Sequence, residues 1–145
     1  MISKAKSECE GLMNSVLPVA KQLLREYGEF HPYGRYLEPD GQIRHAGAKG
    51  ETEHPPAQEL IDLLWDFFKQ SAERGGCKAV ALVLNVVITS ADRSTKSDAI
   101  QVCLDHVHGY SADVFIPYKI SEGQVVYEEP YRVEGTLGIF PIRKA

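Results

Sequence analysis

The chain has 145 residues, 43% hydrophobic and 25% charged, with a formal net charge of −4. That length fits one domain with a self-sufficient core, and the apolar content excludes disorder. The acidic balance argues against a dedicated nucleic-acid binder, whose affinity comes from concentrated Lys and Arg. Cys9, Cys77 and Cys103 cannot all pair within one chain and form no C-x-x-C motif, so a reducing, cytoplasmic compartment is expected. No span approaches the roughly 20 apolar residues needed to cross a bilayer, and Glu8 and Glu10 stand where a secretory signal wants positive charge.

Leu12, Met13, Val16, Leu17, Ala20, Leu23, Leu24 and Tyr27 recur at spacings of three and four, which predicts one helical stripe ending at Gly28. Pro18 removes an amide within it, so a kink, or a start near that residue, is expected. Residues 30–36 and 42–46 flank Leu37-Glu38-Pro39-Asp40-Gly41 and read as a β-hairpin. After a polar loop over 47–54, Pro55 and Pro56 suit the first turn of a second helix. Its stripe is Leu60, Ile61, Leu64, Trp65, Phe68 and Ala72, widened by Leu63 and Phe67, and Gly75-Gly76 ends it.

The run Ala79 to Ile88 is almost continuously apolar and rich in β-branched residues, which suits a central strand buried on both faces. A polar connection over 91–97 leads to alternating apolar residues at Ile100, Val102 and Leu104. Further strands are predicted over 113–120 and 124–128. The tail from Pro130, with two Gly and two Pro, is expected to pack irregularly across an edge or open end of the sheet.

These elements predict an α+β fold of order α-β-β-α-β-β-β(-β): an antiparallel sheet of about five strands, with two main helices packed on it and covering one face. Over residues 12–128 that order resembles the profilin-like or roadblock-like layout. The resemblance is one of element order, without matching motif residues, so it implies a fold and no activity.

Asp105-His106-Val107-His108 has metal-ligand character, because His106 and His108, two apart on a strand, would share a face. A third ligand would have to come from His31, His45 or a carboxylate. The bland alternative is a fraying strand end beside a turn. Cys103 suits inert packing better than nucleophilic catalysis, since His106 points the other way. Neither Gly75-Gly76 nor Gly47-Ala48-Lys49-Gly50 has the spacing of a phosphate-binding loop, so no cofactor is predicted.

Two surfaces suit a protein partner. Tyr33, Arg35 and Tyr36 lie in an aromatic and cationic run with Phe30 and His31, and alternation sends Tyr33 and Tyr36 to opposite faces. Tyr118, Tyr127, Glu128, Glu129, Tyr131 and Arg132 form an acidic, tyrosine-rich rim. The competing reading of each is an ordinary strand or solvated rim. Stoichiometric binding of a protein ranks first among functions; small acidic proteins of this composition include immunity-type inhibitors that occlude a toxin. A small-ligand site between the helices and the sheet, lined by Trp65 and Phe68, ranks second, and a metal-dependent enzyme third. A meander leaves two open edges, which makes self-association through one of them a further expectation.

Overall fold

The computed structural model describes residues 3–47, 56–89 and 94–140. Helix α1 spans Lys4–Tyr27. The Ser3 side chain caps it by accepting the Lys6 amide, and Gly28 closes it in the left-handed conformation, φ 75°, donating its amide to the Leu24 carbonyl. The helix runs unbroken through Pro18 from Lys4, so the expected alternative of a start near that residue is corrected. Pro18 and Asn14 both lie on the exposed side, so the carbonyl that loses its helical donor is at the solvent face. Meanwhile Cys9, Leu12, Val16, Ala20 and Leu24 bury a continuous stripe against the sheet.

Strands β1 (Tyr33–Leu37), β2 (Ile43–Ala46), β3 (Ala79–Thr89), β4 (Lys96–His106), β5 (Ser111–Ser121), β6 (Gln124–Tyr127) and β7 (Tyr131–Glu134) form one antiparallel sheet. Its order is β2-β1-β3-β4-β5-β6, with β7 also pairing with β5. Seven strands replace the expected five or so because the outer edge of β5 is shared. Residues 118–121 of β5 pair with β6, and residues 112–115 pair with β7. The tail is thus partly regular.

Helix α2 (Ala57–Glu73) lies on the opposite face from α1, so the expectation that one face carries both helices is corrected. The physical reason is β3: every residue from Ala79 to Val83 is buried, and such a strand needs cover on both sides. On the α1 face, Ala81, Val83, Ile100, Val102, Leu104 and Ile116 meet the α1 stripe. On the other, Val80, Leu82 and Cys103 meet Leu64, Phe68, Ile139 and Phe140. The buried stripe of α2 is narrower than the sequence suggests, since Leu63 and Phe67 are 44% and 42% exposed.

Two buried carboxylates anchor the chain after β7. Asp105 Oδ2 accepts the amides of Ile139 and Phe140 at 2.8 and 3.0 Å, and Asp113 Oδ2 accepts the Thr136 hydroxyl at 2.6 Å. From α2, Trp65 Nε1 donates to the Leu137 carbonyl at 2.7 Å and Lys69 Nζ to that of Ile139 at 3.0 Å. The tail therefore completes the second core, and Trp65 and Phe68 belong to that core rather than to a ligand cavity between the helices. Gly34 gives Phe68 its seat, since a Cβ there would lie 2.5 Å from the Ala81 carbonyl oxygen and 2.7 Å from the Phe68 ring.

Candidate functional site

Strand β1 stops at Tyr33, opposite Val83, whereas β3 runs on to Thr89, paired there with β4 alone among the described residues. Past the end of β1 no strand among the described residues pairs with that side of β3, and Val87 there is 64% exposed. A groove of about 730 Å³ opens beside this gap. One wall is Val19, Leu23 and Tyr27 of α1; the other is the 29–33 segment with His45 and Gly47; Asn85 also lines it. Val19, Leu23 and Phe30 are half-buried in its walls, and Tyr27 at its rim is 70% exposed.

One hydrogen bond and two ring contacts join the walls. Tyr33 donates its hydroxyl to the Val16 carbonyl of α1 at 2.7 Å, and burial raises its phenol well above the ordinary value. Its ring stacks on His45 at 5.8 Å between centroids and meets Phe30 edge-on at 5.9 Å. His45 is held below the ordinary histidine value, first by burial and then by the Arg35 charge. Arg35 is the direct ladder partner of His45, so the two side chains emerge side by side on the α1 face. Arg35 Nε is buried without a hydrogen-bond partner, and no carboxylate among the described residues forms an ion pair with Arg35.

The first predicted patch is thus divided by the sheet. Tyr33 and Arg35 face α1, while Tyr36 lies on the α2 face, where its ring packs edge-on to Phe67 at 5.5 Å and Phe68 at 6.4 Å. Tyr33 is a buried wall rather than a contact residue, a correction to its expected role.

The second patch is divided as well. Tyr118 is only 2% exposed and donates to Asn85 Oδ1 at 2.6 Å, so it too is a core residue. Burial raises its phenol, aided by the Asp98 charge and opposed by the Asn85 bond. Tyr127 sits opposite Tyr118 beneath the Lys21 ammonium, 4.7 Å from the ring centroid, beside a smaller cleft of about 310 Å³ between α1 and β6. Glu128 is exposed, with Lys119 at 4.0 Å. Tyr131 stacks on Phe115 at 5.3 Å, and Arg132 donates to the Tyr110 hydroxyl at 2.9 Å. No single surface unites these residues.

His106 ends β4 and is 1% exposed. Its Nδ1 accepts the His108 amide at 3.0 Å, which leaves Nε2 to donate to Glu8 Oε1 at 3.0 Å. Glu8 Oε2 in turn holds Lys78 Nζ at 2.7 Å. The expected paired grip of His106 and His108 on an ion is replaced by this bridge, which ties α1 to the sheet. His31 and His45 line the groove instead. Among the described residues no group of three or more His, Cys, Asp or Glu is placed to hold a metal. All three thiols are buried; burial raises that of Cys9 to about 12 and pushes Cys77 and Cys103 upward too, which keeps them in the unreactive thiol form.

Sequence reasoning missed Val19, Leu23, Tyr27, His45 and Asn85 as groove residues. Leu23 and Tyr27 fit the core stripe of α1, and only the register of β1 against β3 reveals that the sheet beneath them falls short. No helix among the described residues is long and apolar enough to cross a membrane. No family model, no curated protein and no solved structure matches the chain.

Proposed function

We propose that the chain is a protein-interaction module that binds one partner stoichiometrically through the groove between α1 and the β1–β2 hairpin. The observation that carries this reading is Tyr27, a 70% exposed aromatic at the rim of a groove between α1 and the hairpin that the Tyr33–Val16 hydrogen bond ties together. Large exposed aromatic side chains are enriched at binding hot spots, because they bury area with little loss of rotamer freedom. Occlusion of a partner's surface, the mode of an immunity-type inhibitor, is one way such a module acts. Native mass measurement of the complex recovered from a lysate tests the reading. Wild type is expected to give a complex of fixed stoichiometry that Tyr27→Asp abolishes; an unchanged complex with Tyr27→Asp removes the groove from the interface.

A small-ligand site is the second reading, favoured by the groove volume of about 730 Å³, which falls within the usual range for such sites. It predicts a thermal shift with an apolar small molecule and no partner chain.

A further inference from the structure

Resting on the interaction reading above, we infer that the partner enters as an extended segment that pairs with the open edge of β3 at Asn85, Val87 and Thr89 and adds a strand to the sheet. The ladder shows which backbone groups are available there. In the turn after β4, His106 donates its amide to the Tyr110 carbonyl, so His106, Leu104, Val102 and Ile100 bond toward β5. The alternate residues from Asp105 to Ser97 bond toward β3, opposite Val80, Leu82, Leu84, Val86 and Ile88. Ala81, Val83, Asn85, Val87 and Thr89 therefore turn their amides and carbonyls to the other side. Tyr33 lies opposite Val83, where β1 stops, and no strand among the described residues meets Asn85, Val87 or Thr89 on that side.

An edge of this kind is a template for another strand, and sheets normally blunt it with shortness, charge or proline. The outer strands follow that rule: β2, β6 and β7 are 4 residues each, and Arg44, Arg132 and Glu134 lie on them. Residues 84–89, Leu-Asn-Val-Val-Ile-Thr, carry no charge and no proline and are rich in β-branched side chains. Asn85 also lines the groove, so edge and groove adjoin. Residues paired directly across a ladder share a face, so a side chain opposite Asn85 or Val87 would lie on the α1 side, where Val87 is 64% exposed. Glu29 among the groove residues disfavours an acid there, and Leu23 and Tyr27 favour an apolar side chain. The backbone supplies affinity and the alternate side chains specificity. Two copies of this chain paired through the edge would each carry a β1 that starts beside Val83 on it, which confines their contact from both ends. A free segment meets that limit at one end only.

Selection of a phage-displayed random nonapeptide library on the immobilised protein supplies the probe. A synthetic copy of the best peptide should slow hydrogen exchange at the Asn85, Val87 and Thr89 amides by roughly tenfold or more, and leave Val86, already bonded to β4, unchanged. Single N-methylation along the peptide should weaken binding about tenfold at every second position and spare those between, because only one edge of the peptide is bonded. Val87→Pro removes an outward amide alone, so the variant should fold and lose the peptide. Should Val87→Pro fail to fold, the N-methyl series on wild-type protein decides the matter. The inference is overturned by no enriched peptide, by a folded Val87→Pro that still binds, or by N-methylation felt equally at all positions. Slowed exchange at β6 or β7 amides instead, or protection of Asn85, Val87 and Thr89 on concentrating the protein without peptide, overturns it as well. If the lysate complex still disappears with Tyr27→Asp, the interaction reading survives that failure; if it does not, both readings fall.

Discussion

Tyr33 on β1 and Val16 on α1 are joined by a buried hydrogen bond of 2.7 Å from the phenol to the helix carbonyl. That bond sets the separation of the two groove walls, because Val19 and Leu23 continue from Val16 along α1 while His45 stacks on the Tyr33 ring. Tyr33→Phe keeps the ring and removes the bond, for an expected loss of about 1 kcal/mol. Tyr33→Ala also removes a buried ring and should cost about 3–5 kcal/mol. Denaturant midpoints at constant m-value measure both. Equal losses for the two substitutions would mean that the ring contributes nothing.

The tail depends on Asp105. Its carboxylate accepts the Ile139 and Phe140 amides, so Asp105→Ala leaves two buried donors unpaired, at roughly 1–3 kcal/mol each. Hydrogen exchange at those two amides should quicken at least tenfold in this variant, ahead of the strand amides of β3. Asp105→Asn keeps one acceptor oxygen and should cost less. Burial raises the Asp105 carboxyl, with the Phe140 and Ile139 amides opposing it. A raised carboxyl favours the fold below its ordinary value and loses that contribution as pH rises through the raised one. The advantage of wild type over Asp105→Asn should therefore shrink with rising pH through that window; an advantage that grows would contradict the assignment.

Glu8 behaves oppositely. Burial pushes its carboxyl up, but the hydrogen bonds from Lys78 and His106, with the Lys78 charge, outweigh this and hold it below the ordinary value. Its contribution is then fully present above the ordinary glutamate range and lost as pH falls through the lowered value. Glu8→Gln should flatten the acid limb of the stability curve, read from urea midpoints between about pH 6 and about pH 3, a span that brackets ordinary carboxylate titration at about 4. An unchanged acid limb would show that the bridge to Lys78 and His106 does not form in solution.

Gly34→Ala should destabilise by about 1–3 kcal/mol, the usual cost of overpacking. The added methyl meets backbone at Ala81, which cannot swing aside, as well as the Phe68 ring. A variant as stable as wild type would require β1 and β3 to separate locally, and loss of protection at the Tyr36 and Val80 amides would reveal it.

Much of this architecture is legible in the residues themselves. The i, i+4 spacing of Leu12, Val16, Ala20 and Leu24 writes α1, and the unbroken apolar stretch of β3 announces a strand covered on both faces. What periodicity cannot carry is the relative register of distant strands. Whether β1 ends at Val83 or runs on beside Asn85 is decided by tertiary pairing, and that decides whether Leu23 and Tyr27 are core or groove. The same limit explains Tyr33 and Tyr118, whose exposure depends on which face α1 chooses. It also explains Asp105, since no local pattern marks a carboxylate that binds backbone 34 residues away. His106 and His108 share a spacing with metal ligands, but their partners come from Glu8 and from their own turn.

Site-specific photocrosslinking in cells bears most directly on the interaction groove. A photoreactive residue replacing Tyr27 should capture one discrete partner species, and the same residue replacing Val133, exposed on the β7 edge, should not. Capture from Val133 with none from Tyr27, above all as a dimer of the chain itself, would contradict the account and assign the interface to the strand edge.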